Sequence, residues 1–184
     1  MTLDAGVIQR LRSGDRDALA AVFEAHATEI YAYCHRRTAS WSDAQDLAAD
    51  TFVELWRSRH RIPDHAAGIK PWLYGIAANL CRRHLRQQER GRRALTRLGP
   101  PLDHDPIAGL IDGLTDDQRL AWVHARLAEL PHGFADVFYL VSWQGLTYEE
   151  AAKALDLPVG TVRSRLSRAR QQLRLATKES AHVL

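Results

Sequence analysis

Residues 146–174 read LTYEEAAKALDLPVGTVRSRLSRARQQLR. Within this stretch Val162, Leu166, Ala169 and Leu173 return at steps of four, three and four, which is the narrow apolar seam of one helix. Five arginines lie between Arg163 and Arg174, all off that seam. Upstream, Thr147 is placed to cap a short helix whose first turn carries Glu149 and Glu150 at its positive end. The tripeptide DLP predicts a tight turn, with Pro158 opening the next helix. Two helices about a tight turn, the second one basic, predict a helix-turn-helix. In such a unit Thr161, Arg163, Ser164, Ser167 and Arg168 face base edges, while Arg165, Arg170 and Arg174 hold phosphates.

The rest of the chain is bounded by its composition. Its 184 residues suffice for one ordinary domain or two small ones, and a hydrophobic content of 46% implies a real core. Net charge is only +3, yet 22 of the 25 basic residues are arginine, which favours forked contacts with phosphate over point charges. Cys34 and Cys81 cannot build a disulfide framework, so a reducing, cytoplasmic setting is expected. The start lacks a basic region followed by an apolar run, and no uncharged stretch nears the roughly 18 residues of a membrane span.

No segment alternates as a half-buried strand does, and the expected fold class is all-α. Leu19, Val22, Phe23, His26, Ile30, Tyr33 and Cys34 mark an amphipathic helix over 15–37. A second helix follows, with Ser42 as the expected N-cap and Leu47, Ala48, Phe52, Leu55 and Trp56 as its apolar face. Pro63 and Gly68 break the pattern. A third helix, expected from Ile69 with Pro71 in its first turn, buries Trp72, Leu73, Ile76, Ala77 and Leu80 and then turns basic. Between Gly99 and Gln118 stand three prolines, three glycines and five aspartates with no lysine or arginine, an acidic linker. Two small helical domains are therefore expected, over 1–97 and 119–184, joined by residues 98–118. Helices near 120–130, 134–142, 148–155 and 159–175 would make the second.

Two surfaces of the first domain carry chemistry. Asp43, Asp46, Asp50 and Glu54 form an acidic stripe suited to a basic protein partner. A metal pair would need an inward-facing Glu-x-x-His spacing, which is absent. From Arg82 to Arg97 seven arginines oppose one acid, and Asn79, Arg82, Arg83, Arg86 and Arg90 share one side near Trp72 and Tyr74. Guanidinium groups interleaved with aromatic and amide groups suit single-stranded nucleic acid, whose bases stack while its backbone is tracked. Cys34-His35 and Cys81 with His84 lack a zinc-ligand spacing, and neither a phosphate loop nor a nucleophile–base set is present. Neither cofactor nor enzyme activity is expected.

These motifs, in this order, resemble a bacterial sigma factor of the extracytoplasmic-function type, in the sigma-70 family. DAQDLAADTFVELW is similar to that family's polymerase-binding helix, and WLYGIAANLCRRHLR to its promoter-melting helix. LAELP, LTYEEAAKAL and LPVGTVRSRLSRAR are similar to its −35-reading domain. The resemblance implies that Asp46, Leu47, Asp50, Thr51 and Glu54 dock on core RNA polymerase. It implies that Asn79, Arg82, Arg83 and Arg86, with the loop Ile62–Gly68 that holds His65, capture the unpaired non-template strand at −10. Arg163, Ser164, Ser167 and Arg168 would read the −35 duplex, and the acidic linker would run toward the RNA exit path. An anti-sigma factor is the further implied partner. Gly75 stands where the family usually has arginine, Arg83 where an acid is common, and Ala135 where a basic or polar residue is usual. A chain ending at Leu184 is expected to lack a C-terminal regulatory domain.

Two other readings compete. A free-standing regulator would use residues 1–97 for sensing or dimerisation, but a sensor has no need of the basic stretch Arg82–Arg97. A helical metalloenzyme would use Asp46, Asp50 and Glu54. The promoter-binding reading requires both arginine faces to stay free, and a single globule that buried them would refute it.

Overall fold

The computed structural model describes residues 5–62, 68–96, 122, 123, 125–127, 129, 130 and 133–181, and among them the regular structure is all helix, with no strand. The helices are α1 (Ala5–Ser13), α2 (Arg16–Thr38), α3 (Trp41–Ser58), α4 (Lys70–Thr96), α5 (Phe134–Phe138), α6 (Tyr148–Leu155) and α7 (Val159–Ala181). A 3-10 turn, Arg59–Arg61, follows α3. A single π turn, Tyr139–Trp143, prolongs α5, as wide turns inside helices do where an extra residue must be absorbed. Residues 122, 123 and 125–127 are helical, and the rest of the helix expected near 120–130 lies outside the described residues.

Local signals account for most boundaries. Asp15 caps α2, its carboxylate accepting from the backbone N–H of Asp17 at 2.8 Å and of Ala18 at 3.4 Å. Ser40, not the expected Ser42, caps α3: its backbone is extended (φ −135°, ψ 126°) and its Oγ accepts from the Asp43 N–H at 3.3 Å. Ser42 already lies inside the first turn, where it has no cap to make. Helix α1 carries no clear signal in the sequence, because Ile8 and Leu11 are the only buried residues described between 6 and 13 and so short a seam shows no periodicity.

α2, α3 and α4 pack around Val22, Ile30, Tyr33, Leu55, Leu73 and Ala77, all at most 1% exposed. Burying each of the larger aliphatic side chains stabilises by roughly 1.5–3 kcal/mol. On α4 the expected seam holds at Leu73, Ala77 and Leu80, all buried, and is broader than expected. Tyr74, Ala78 and Cys81 are buried, whereas Trp72 and Ile76 are only half-buried. The reason is that α4 is covered from two sides, by α2 and α3 and also by α6. Gly75 shows how close the second contact is, since a Cβ there would lie 2.6 Å from the Ala154 carbonyl oxygen. The departure at position 75 thus has a packing reason.

The C-terminal half is built around Val137, Leu140, Ala151, Val162, Leu166 and Ala169. Helix α6 opens with a full capping box: the Glu150 N–H donates to Thr147 Oγ1 at 3.1 Å, and the Thr147 N–H to Glu150 Oε2 at 2.8 Å. Asp156 ends α6 in the left-handed region (φ 52°), and the Pro158 carbonyl accepts from Thr161 and Val162 to start α7. The two halves share one continuous hydrophobic core.

Candidate nucleic-acid interface

On α7 the arginines sort by helical phase. Arg163, Ser167, Arg170 and Arg174, spaced by four, three and four, face solvent and line an open hollow of about 870 Å³ with Tyr148 and Gln171. Tyr148 stacks under Arg163, ring centroid to guanidinium 5.5 Å, which presets the direction of that side chain. Neither Tyr148 nor Gln171 stood out in the sequence, because their place beside the arginines depends on how α6 crosses α7. Arg168 and Ser164 are also exposed, and Ser164 Oγ donates to the Thr161 carbonyl at 3.1 Å. Thr161 is half-buried. Arg170 Nη2 donates to Ser142 Oγ at 3.3 Å. Arg165 departs from the expected phosphate-facing set: it points the other way, half-buried, 5.8 Å over the Phe134 ring.

On α4 the stripe Asn79, Arg83, Arg86 and Arg90 is exposed, and Trp72 lies half-buried in the same helical phase. Its indole Nε1 has no hydrogen-bond partner among the described residues. Tyr74, expected beside this stripe, is 1% exposed and donates to Gln144 Oε1 at 3.0 Å, so it belongs to the core. Arg82 is half-buried, donating through Nε to Asp136 Oδ2 at 3.0 Å and through Nη1 to Asn79 Oδ1 at 3.2 Å. Ile62 is 1% exposed and fills the core instead of facing a nucleic-acid strand. His65 lies outside the described residues.

The acidic face of α3 is partly as expected. Asp46, Asp50 and Glu54 are exposed, flanked by Val53 at 45% exposure. Leu47 and Thr51 do not share that surface. Leu47 is 7% exposed, and Thr51, wholly buried, donates its hydroxyl to the Leu47 carbonyl at 2.7 Å. Both fall on the inner side because they sit one residue beyond Asp46 and Asp50, about 100° around the helix. Asp43 is drawn toward α4, where Gln88 Nε2 donates to its Oδ2 at 3.2 Å and His84 Nε2 lies 3.3 Å away.

Among the described residues no cluster of three or more His, Cys, Asp or Glu side chains is arranged to hold a metal ion. Cys34 and Cys81 are free and buried against each other, and their mutual hydrogen bond together with burial pushes the Cys34 thiol far above its usual range. No described helix is long and apolar enough to cross a membrane.

Geometrically the molecule offers a solvent-facing arginine stripe on α7, a second on α4 beside an indole, and a carboxylate stripe on α3. Arranged so, it can neutralise phosphates at two places and meet a basic partner at a third.

Comparison with known proteins agrees with that layout. Residues 22–91 match the Sigma-70 region 2 family and residues 120–173 match Sigma-70, region 4. The ECF RNA polymerase sigma factor SigE of Mycolicibacterium smegmatis is 34% identical over 170 residues, which is 88% of this chain but 63% of that protein. RNA polymerase sigma factor HrpL of Pseudomonas syringae pv. syringae is 34% identical over 79% of each chain. A solved structure of CnrH in complex with the cytosolic domain of CnrY superposes with a TM-score of 0.69, at 25% identity, covering 96% of this chain and 97% of that one. Two stripes on two helices, each inside its own matched region, lead to one conclusion: the chain belongs to the sigma-70 family, in its extracytoplasmic-function group.

Proposed function

We propose that this chain is a dissociable specificity subunit, which binds core RNA polymerase and directs initiation at particular promoters. The observation that carries the reading is the pair of exposed arginine stripes on separate helices, one in each matched sigma region. Arg163, Ser164, Ser167, Arg168 and Arg170 on α7 read the −35 duplex and grip its phosphates. An arginine forked onto guanine contributes about 1–3 kcal/mol of discrimination. Asn79, Arg83, Arg86 and Arg90, with Arg82 once it is released from Asp136, hold the unpaired −10 strand, and Trp72 offers a stacking surface. Asp46, Asp50 and Glu54 dock on the polymerase, with Val53 as an apolar contact.

The division of labour has a physical basis. Readout by one small helix-turn-helix is weak and salt-sensitive. Mounting two DNA-binding units on one large partner raises their effective concentration without any new contact. Holding extruded bases then opposes reannealing. No step requires covalent chemistry of this chain, which acts in the cytoplasm as a binding subunit and not as an enzyme. Residues 1–97 and 119–184 are the two working units. The five aspartates of the intervening segment suit a path normally taken by nucleic acid. The likeness to CnrH, solved with the cytosolic domain of CnrY, supports an anti-sigma partner for this chain.

The test is transcription in vitro with bacterial core polymerase on fragmented genomic DNA of the source organism, with 5′-end mapping. Addition of the chain is expected to create a discrete set of start sites. Absence of chain-dependent starts overturns the reading.

A further inference from the structure

Two guanidinium groups meet in one cleft without an acid to share. The cleft, of about 130 Å³, is lined by Arg82 and Arg86 of α4, Arg165 of α7, Gly133 and Asp136, with Leu155 and Leu157 as an apolar wall. Asp136 is the one carboxylate among these lining residues, and it is already engaged. Its Oδ1 accepts from Arg37 Nη2 of α2 at 2.6 Å, and its Oδ2 accepts from Arg82 Nε at 3.0 Å, with Arg82 Nη2 2.9 Å away. Arg82 Nη1 donates to Asn79 Oδ1, so all three nitrogens of that guanidinium are committed. Arg86 and Arg165, by contrast, have neither a hydrogen bond nor an ion pair among the described residues. Four guanidinium groups thus stand around one carboxylate. The place of Arg165 is specified by a glycine. Gly133 has φ +89°, and a Cβ there would lie 2.5 Å from Arg165 Nη1, so any larger residue would strain the backbone and displace the guanidinium. Arg165 is half-buried, and a charge withdrawn from water without a counter-charge is costly.

We propose that this cleft is a binding site for a phosphate group, either inorganic phosphate or the terminal phosphate of a small metabolite. Donor supply points to phosphate in preference to a carboxylate. One guanidinium fork satisfies both oxygens of a carboxylate, whereas Arg86 and Arg165 bring two forks from different helices, which the additional oxygens of a phosphate can accept. Arg82, with its nitrogens committed, supplies charge and few further donors. The leucine wall keeps water from one side, and in that less polar setting each charged contact is stronger than on an open surface. Arg86 also belongs to the exposed stripe of α4, so an anion held here and a nucleic-acid strand draw on the same guanidinium. Binding of the anion itself is independent of the promoter reading, which assigns no role to Arg165.

The test is calorimetric titration of the full-length chain with inorganic phosphate, glucose 6-phosphate and ATP, in chloride buffer at about 0.15 M ionic strength, where loose surface attraction is screened. Inorganic phosphate is expected to bind one site per chain with a Kd of about 1 mM or tighter. A sugar phosphate or nucleotide that binds tighter than inorganic phosphate identifies a metabolite as the source, and equal or weaker binding identifies free phosphate. Arg165→Gln and Arg86→Gln should each weaken phosphate binding at least ~10-fold, as loss of a charge-assisted hydrogen bond does. Arg163→Gln, on the solvent face of α7, should leave it unchanged. An equal loss in Arg163→Gln would mean diffuse attraction to an arginine-rich surface and overturns the site. So does a weaker Kd in the wild type, or an affinity that neither cleft variant lowers while helix content stays intact by circular dichroism. If Arg165→Gln loses helix content, Arg86→Gln decides alone, since the Arg86 side chain is exposed. Polymerase takes no part in these titrations, so a chain that never initiates transcription refutes the promoter reading and leaves the phosphate site standing.

Discussion

Helices α4 and α7 are both arginine-rich, yet they reach their surfaces by different routes. Along α7 the arginines are sorted by helical phase alone. A seam of Val162, Leu166 and Ala169 turns inward, and Arg163, Arg170 and Arg174 therefore turn outward. Along α4 phase is insufficient, because the helix is covered on two sides and Arg82 of its stripe is held by Asp136 of the other half. The difference teaches that a basic helix at the edge of a fold is ready to bind, while one at its centre depends on the state of its neighbours.

Four measurements would break or sharpen this comparison. The largest effect is expected from Arg37→Ala, which leaves the buried Asp136 with Arg82 alone. Loss of a buried ionic partner costs about 3–5 kcal/mol. Urea unfolding should show it, and a loss under about 1 kcal/mol would mean the joint between halves is weak. Next comes a paired substitution of exposed arginines. Arg163→Ala should weaken duplex binding in the holoenzyme at −35 by about 1–3 kcal/mol and relax its sequence preference. Arg83→Ala should instead weaken single-strand binding uniformly and lower the salt slope by about 0.7. If both variants behave alike, the two stripes do not differ in task.

A smaller effect tests the locally determined half. Thr147→Ala removes one arm of the capping box and should cost about 1 kcal/mol in thermal or urea unfolding, with α4 binding unchanged. An unaltered midpoint would show that packing, not capping, holds α6. The smallest effect is a pH dependence. Burial holds the His26 imidazole below its ordinary 6.5, with Glu29 acting in the opposite direction. A histidine depressed in the folded state takes up its proton more readily when unfolded. Stability should accordingly decline as pH falls below about 6.5, down to the folded value. His26→Gln should flatten that part of the stability curve, and an equal slope in both proteins would remove His26 from the account.

Much of the candidate site was legible because its signals are local. The capping box at Thr147, the turn before Pro158 and the phase of Arg163, Ser167 and Arg168 need only neighbours within a few residues. The acidic face was legible in its carboxylates and Leu47 in the apolar seam, whereas Thr51, grouped with the carboxylates by the family resemblance alone, is buried where α3 meets its neighbours. Tyr74 was misplaced because an aromatic side chain next to a basic run reads as surface until a second layer covers it, and Ile62 because the family resemblance assigned its loop as a whole to the nucleic-acid strand.

Helical period, caps and turn residues, all acting over one or two turns, were enough to set the all-helical class, the helix-turn-helix and the two arginine stripes. Which guanidinium groups are available was decided by contacts that no local pattern encodes. Asp136 meets Arg37 and Arg82 across 99 and 54 positions of chain. A joint of that kind depends on two packed surfaces arriving together, since charge burial becomes tolerable only when partner and geometry are both in place.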